Sequence, residues 1–117
     1  MNQREVGGRF EEQAAAYLQE QGIQILERNF RCRIGEIDLV AKEGEYFLFV
    51  EVKYRGSSRF GRPEEAVNPR KQKKICQVAQ AYLQRHGLPE ETYCRFDVVA
   101  VDGRGQLTYF RNAFGGI

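Results

Sequence analysis

The chain has 117 residues, of which 42% are apolar and 29% charged, a composition that is ordinary for a globular protein. Its length suits a single compact domain spanning residues 1–117. No apolar run is long enough for a transmembrane helix, and no apolar signal-peptide core follows the polar N-terminus, so we expect a cytoplasmic protein.

The cysteines and the single histidine exclude several kinds of site. Cys32, Cys76 and Cys94 are widely spaced and form neither a CxxC motif nor a zinc-binding pattern, so we expect reduced thiols. The only histidine, His86, lies at the predicted end of a helix, where a dipole or capping role is favoured. A histidine-based nuclease or a zinc hydrolase is therefore not expected.

The first helix is predicted from about Gly8 to Gln21, ending at Gly22. Glu11 borders the apolar stripe of this helix and could face a cleft, whereas Glu12 falls on the solvent side. The alternative is that Glu11 is a first-turn glutamate favoured by the helix dipole. The stripe has helical spacing and consists of Phe10, Ala14, Tyr17 and Leu18.

Three strands are predicted to follow the first helix. The first runs from Ile23 to Phe30, and the second and third contain residues 35–41 and 47–53, separated by a hairpin loop at residues 43–45. Both faces of the third strand are apolar at its start. That pattern predicts a central strand that is covered on both sides.

Charged residues interrupt the second and third strands. Asp38 lies within the second, and Glu51 and Lys53 share a face of the third with Phe47 and Phe49. Buried charges are costly unless they are paired or bind a metal, so the three charged residues predict a metal-and-phosphate site. The alternative is a solvated face with cross-strand ion pairs.

The basic residues are concentrated around this candidate site. From residue 53 to residue 74 eight side chains are basic and two are acidic, although the formal net charge is only +2. Such a zone suits a polyanion, which indicates nucleic acid as the partner; the alternative is a plain solvated surface. The eight are Lys53, Arg55, Arg59, Arg62, Arg70, Lys71, Lys73 and Lys74, and Arg28, Arg31 and Arg33 add a smaller patch.

A loop and a second helix complete the crossover. Residues 54–63 are rich in Gly, Ser and basic side chains without periodicity, and they could clamp a nucleic-acid backbone or simply connect two elements. The second helix is predicted to begin with Asn68 as N-cap and Pro69 at its first position, and to end near Gly87. Lys71 and Gln72 lie in its first turn, where a phosphate could be held.

The last two strands are predicted from Thr92 to Val101 and from Gln106 to Asn112, joined by a hairpin turn at residues 102–105. Asp97 interrupts the first of them, and we interpret it as a structural residue paired with an arginine. The length of the connection through the second helix fits a βαβ crossover. The order α-β-β-β-α-β-β thus predicts an α/β fold with a mixed five-stranded sheet flanked by helices.

Taken together, these residues resemble a known family. The spacing Asp38…Glu51-Val52-Lys53 matches the PD-(D/E)xK signature of restriction-endonuclease-like nucleases, with Ile37 in place of the usual proline. The short motif is weak alone, but words along nearly the whole chain resemble the YraN-type family of small bacterial proteins. Those words are Gly7, Glu11, Ala14, Tyr17-Leu18, Arg28-Asn29, Gly35-Glu36-Ile37-Asp38-Leu39, Phe49-Val50-Glu51-Val52-Lys53, Gly61-Arg62-Pro63, Glu65-Ala66-Val67, Lys71 and Arg95-Phe96-Asp97-Val98-Val99.

The resemblance implies a restriction-endonuclease-like three-layer α/β/α core and a Mg²⁺- or Mn²⁺-dependent endonuclease related to archaeal Holliday-junction resolvases. Asp38, Glu51 and the carbonyl of Val52 would be metal ligands, Lys53 would act on the attacking water, and Glu11 would complete the metal shell or hold a water. The expected nucleic-acid-binding residues are Arg33, Arg55, Arg59, Arg62, Lys71, Gln72 and Lys74.

Two alternatives belong to other functional classes. The fold could serve as a non-catalytic nucleic-acid-binding module, or as a protein-interaction domain in which the charged site is only structural. The presence of Asp38, Glu51 and Lys53 together favours the nuclease over a site that has lost its catalytic residues. Junction resolution needs two coordinated cuts, so the resemblance also allows a homodimer.

Overall fold

The computed structural model of the protein describes residues 3–54 and 67–115, with side chains from residue 8 onward in the first range. Their elements follow the predicted order α-β-β-β-α-β-β. They are α1 (Gln3–Glu20), β1 (Gln24–Arg31), β2 (Glu36–Glu43), β3 (Tyr46–Tyr54), α2 (Pro69–Arg85), β4 (Cys94–Val101) and β5 (Leu107–Phe114).

The five strands form one mixed sheet in the order β1-β2-β3-β4-β5. Neighbouring strands are antiparallel except β3 and β4, which are parallel and are joined by the crossover that contains α2. This arrangement places β3 at the centre of the sheet. The central position predicted from its two apolar faces is therefore confirmed.

The two helices cover opposite faces of the sheet. On one face α1 buries Ala14 and Leu18 against Leu48 and Val50. On the other face α2 packs against Phe49, whose side chain points away from those of its neighbours Leu48 and Val50 because directions alternate along β3. The predicted three-layer α/β/α fold with a restriction-endonuclease-like element order is confirmed.

The ends of α2 follow the predicted signals. The Asn68 side chain accepts a hydrogen bond from the backbone N–H of Lys71 at 2.9 Å, and Pro69 opens the helix. At the other end His86 is the C-cap, and Gly87 takes a positive φ of 65° that stops the helix.

Most strand boundaries differ from the prediction by one or two residues. Two differences, at the start of α1 and at the end of β5, have a clear cause. Helix α1 begins at Gln3 rather than Gly8, because helical backbone hydrogen bonds extend beyond the apolar stripe from which the prediction was made. Strand β5 continues past Asn112 to Phe114, whose ring stacks on Phe96 with 5.2 Å between centroids. The pairing of β5 with β4 shifts register near Asn112 and then resumes at Phe114, where this ring packing holds the two strands together.

The structure also bears on thiols and membranes. All three cysteines are free, as expected, and Cys76 is buried. Among the helices in the described ranges, none is long and apolar enough to cross a membrane.

Candidate active site at the ends of β2 and β3

The β2–β3 ladder brings the two sequence-predicted carboxylates together. Its pairing includes Leu39 with Val50, directly before the charged ends of the strands. Just beyond that pair, Oδ2 of Asp38 accepts a hydrogen bond from the backbone N–H of Val52 at 2.8 Å. The Asp38 side chain thus joins the two strands and is held beside Glu51.

Glu51 is buried on the α2 side of the sheet. Only 4% of the residue is exposed, and it follows Phe49 on the same face of β3. Its Oε2 lies 3.2 Å from Nζ of Lys71, which projects from the first turn of α2. A buried carboxylate needs such a partner, so this ion pair fixes the helix N-terminus over the end of β3.

Both carboxylates are held in an environment that favours their protonated forms. Burial, followed by the charge of Glu51, raises the pKa of Asp38 to about 7, although the Val52 N–H opposes that shift. Burial likewise raises the pKa of Glu51, against the opposing charges of Lys71 and Lys53. Two buried carboxylates close together repel one another when both are ionised, and a bound divalent cation would relieve that repulsion.

Two lysines face this pair and influence one another. Partial burial and the neighbouring Lys71 ammonium lower the pKa of Lys53. For Lys71 burial is the largest influence and acts to lower the pKa, but the Glu51 charge, the hydrogen bonds to Lys53 and Glu51 and the Asp38 charge together outweigh it, and the net shift is upward. Lys53 is therefore the lysine that gives up its proton more readily, as a group acting on a water would need to do.

An open cavity of about 280 Å³ gives access to the carboxylates. Its walls come from the β1–β2 connection, β2, β3 and the first turns of α2. The lining residues are Gly35, Glu36, Asp38, Glu51, Lys71, Lys74 and Ile75.

Glu11 lies on the side of the site predicted from its helical position. It is partly buried while Glu12 is exposed, and its charge contributes to the raised pKa of Asp38. The structure therefore brings Glu11 near Asp38 from the α1 layer.

Sequence reasoning missed a fourth carboxylate, Glu36. Its charge raises the pKa of both Asp38 and Glu51, and its Oε2 accepts a hydrogen bond from Nε of Arg31 at 2.6 Å. Glu36 is two residues before Asp38 on the same strand, so strand alternation was the signal that could have found it.

The backbone beside Asp38 has an unusual conformation, which the sequence analysis also missed. Asn29 on β1 has a positive φ of 54°, a region that asparagine tolerates better than most residues. The β1–β2 ladder passes from Arg28–Leu39 to Phe30–Ile37, with Asn29 and Asp38 between these pairs. Irregular backbone is thus located next to the candidate site.

The donor set suits a hard divalent cation that keeps much of its water. Among the described residues no three acidic, histidine or cysteine side chains form a ready-made metal cage. Mg²⁺ is nevertheless commonly held by one or two carboxylates together with water and substrate phosphate. Asp38 and Glu51, with their raised pKa values, fit that requirement.

The predicted nucleic-acid-binding residues have different environments. Arg33 is exposed at the β1–β2 connection, and Lys74 is exposed beside the cavity. Gln72 donates its side-chain amide to the backbone carbonyl of Val67 at 2.8 Å, which ties it to the start of α2. Arg55, Arg59 and Arg62 lie outside the described residues.

Comparison with known proteins finds one family. The model of a family described as "Uncharacterised protein family UPF0102" matches residues 10–101, a range that includes the whole candidate site. A UPF0102 protein of Lachnoclostridium phytofermentans is 51% identical over 97% of this chain and 96% of its own length.

Two further relatives show the same similarity. A UPF0102 protein of Janthinobacterium sp. is 48% identical over 88% of this chain and 81% of its own length. One from Stutzerimonas stutzeri is 44% identical over 97% of this chain and 98% of its own length. The similarity thus extends along nearly the whole sequence.

Proposed function

The chain belongs to the UPF0102 family, in agreement with its YraN-type resemblance, and we propose that it is a metal-dependent endonuclease acting on structured DNA. The observation that carries this proposal is the pair of shielded carboxylates, Asp38 and Glu51, at the open ends of two central strands. Two lysines and a basic surface adjoin them. This combination suits the approach of a phosphodiester to a cation.

Asp38 and Glu51 would hold the Mg²⁺ or Mn²⁺, with the Val52 carbonyl as a third oxygen donor. When bound, the cation would supply charge neutralisation at a phosphate oxygen and a lowered pKa for a bound water. The hydrogen bond from the Val52 N–H at 2.8 Å leaves the second oxygen of Asp38 available as a ligand.

Lys53 would orient the attacking water and stabilise negative charge that develops on the phosphate. The lowered pKa of Lys53 suits this role, because a group that exchanges protons with the attacking water works best when its pKa lies closer to the ambient pH. Glu11, which approaches Asp38 from α1, would hold a water at the site.

The first turns of α2 would position the substrate. Lys71 and Lys74 line the cavity, and the N-terminus of a helix favours negative charge. A phosphate next to the scissile bond would therefore bind between these lysines, with Arg33 as a further contact along the backbone.

One observation favours a second candidate function, a non-catalytic nucleic-acid-binding module. The Lys71 ammonium lies 3.2 Å from the Glu51 carboxylate and neutralises it without any metal ion. In such a module the charged cluster would hold α2 in place and DNA binding would not depend on metal.

Cleavage of a labelled four-way DNA junction and of a linear duplex with the same arm sequences tests the proposal. Each substrate is incubated with Mg²⁺, Mn²⁺ or EDTA, and wild type is compared with Asp38→Asn and Glu51→Gln. These substitutions keep the shape of the side chain and remove the charge. We expect metal-dependent cutting that both variants lose, with the junction cut faster than the duplex.

A matched control is Glu45→Gln, because Glu45 is an exposed carboxylate in the hairpin at the other end of β3. It should cut as wild type does. DNA binding without cutting, unchanged by EDTA and by both site variants, would instead support the binding module.

A further inference from the structure

A pair of stacked aromatic rings lies at the end of β3. Phe10 of α1 and Tyr54 of β3 have ring centroids 4.4 Å apart and planes inclined by 14°. Tyr54 is 48% exposed although it is a large side chain, while Phe10 is partly buried beneath it. The pair therefore presents an aromatic surface to solvent.

Both rings are chain neighbours of candidate site residues. Phe10 precedes Glu11 and Tyr54 follows Lys53. The aromatic surface thus lies within one residue of the site on two separate elements, α1 and β3. Because side chains alternate along a strand, the Tyr54 ring projects toward α1, on the face opposite Lys53. A nucleic-acid strand that crosses this end of β3 would therefore meet Lys53 on one face of the sheet and the Tyr54 ring on the other.

The other end of β3 provides a comparison. Tyr46, which begins the strand, is 44% exposed and stacks on Tyr93 with 5.4 Å between centroids. That pair lies at the hairpin end, away from Asp38, Glu51 and the lysines. Among the stacked pairs in the described ranges, only Phe10–Tyr54 has an exposed ring directly next in sequence to the candidate site residues.

We propose that the Phe10–Tyr54 pair is a stacking platform for an unpaired nucleobase of the nucleic acid whose backbone enters the site. In a duplex the faces of the bases are covered by their neighbours, so only an unpaired base offers a face to Tyr54. The inference rests on the proposed function and names its substrate more closely, as DNA with unpaired bases beside the scissile bond.

Binding in EDTA tests the platform without any cleavage. The affinity of a labelled oligothymidine and of a duplex of equal length is measured for wild type, Tyr54→Ala, Tyr54→Phe and Tyr46→Ala. We expect Tyr54→Ala to weaken binding of the single strand about tenfold, because the stacking of one base on an aromatic side chain contributes about a factor of ten to the affinity. Tyr54→Phe and Tyr46→Ala should match wild type, and duplex affinity should be the same in all four.

A second measurement reports stacking directly. The fluorescence of 2-aminopurine placed in the oligothymidine should be quenched on binding to wild type and to Tyr54→Phe, and less so with Tyr54→Leu, which keeps an apolar side chain against Phe10. Circular dichroism confirms that each variant is folded. Equal single-strand affinity and equal quenching for wild type and Tyr54→Leu would overturn the platform.

These results are separable from the nuclease test. Cleavage that requires Asp38 and Glu51, together with unchanged single-strand binding by Tyr54→Ala, would reject the platform alone. Binding that depends on Tyr54, in a protein that cuts neither DNA, would reject the nuclease alone.

Discussion

Asp38 is subject to two opposing influences on its ionisation. Burial and the charge of Glu51 raise its pKa to about 7, while the Val52 N–H at 2.8 Å favours the carboxylate. The unfolded chain has no such environment, and an aspartate there has a pKa near 3.8. In the absence of metal, the folded state therefore keeps a proton that the unfolded state loses as the pH rises above about 4.

The consequence is a pH-dependent loss of stability that Asp38→Asn should remove. Because the folded-state pKa is the higher one, the free energy of unfolding of the wild type falls between pH 4 and pH 7. One pKa unit corresponds to about 1.4 kcal/mol, so the variant should gain at least about 1 kcal/mol relative to wild type over this range. Urea unfolding in EDTA at both ends of the range measures the difference.

The exposed carboxylate variant Glu45→Gln is the control and should follow wild type at every pH. Millimolar Mg²⁺ should recover part of the loss at high pH in wild type and not in Asp38→Asn, because only a ligand that binds the folded state stabilises it. Parallel pH profiles for Asp38→Asn and wild type would contradict the raised pKa.

At the scale of the elements, the N-cap of α2 is linked directly to the candidate site through Lys71. Asn68 caps the N–H of Lys71, and the Lys71 side chain pairs with Glu51. The Asn68 cap therefore fixes the helical turn from which Lys71 reaches the buried Glu51 carboxylate.

Removal of this cap should lower stability by a predictable amount. Asn68→Ala leaves the Lys71 N–H without its side-chain acceptor and should cost about 1 kcal/mol in the free energy of unfolding. Asn68→Ser and Asn68→Asp retain an acceptor and should cost much less. Thermal unfolding of the three variants measures the order, and equal losses in all of them would show that capping is not the cause.

The faces on which side chains lie in the helices and strands could largely be predicted from the sequence. Alternation along β3 correctly separated Glu51 from Val50, and helical periodicity correctly chose Glu11 over Glu12. What could not be predicted depends on register between strands: Arg31 lies directly opposite Glu36 only because of how β1 pairs with β2. The positive φ of Asn29 likewise has no local signal, since asparagine is common in ordinary backbone as well.

At the scale of the whole molecule, a buried polar cluster connects three strands on the face opposite α2. Asp97 of β4 is 0% exposed, and Arg95 donates to both of its oxygens. Tyr109 and the backbone N–H of Asn112, both on β5, also donate to it. Arg95 continues to Glu43 of β2 at 3.0 Å. The interpretation of Asp97 as a structural residue paired with an arginine is confirmed.

Loss of the central carboxylate should destabilise the fold as a whole. Asp97→Ala leaves the Arg95 charge and the Asn112 N–H without their buried acceptor, and about 3 kcal/mol should be lost from the free energy of unfolding. Tyr109→Phe removes one donor and should cost about 1 kcal/mol. Chemical unfolding of the two variants measures both values, and similar losses would show that the carboxylate is not the centre of the cluster.

The single parallel junction in the sheet has a consequence for the order of folding. Strands β1 to β3 pair through short hairpins, and so do β4 and β5, whereas β3 and β4 meet only after a long crossover closes. Closure of a long loop costs more entropy, so the crossover is expected to dock late. Asp38 and Glu51 belong to the early meander and Lys71 to the late crossover. The two carboxylates are therefore expected to meet while Lys53 is the only one of the two lysines in place, and part of their repulsion then opposes folding until α2 brings Lys71 to Glu51.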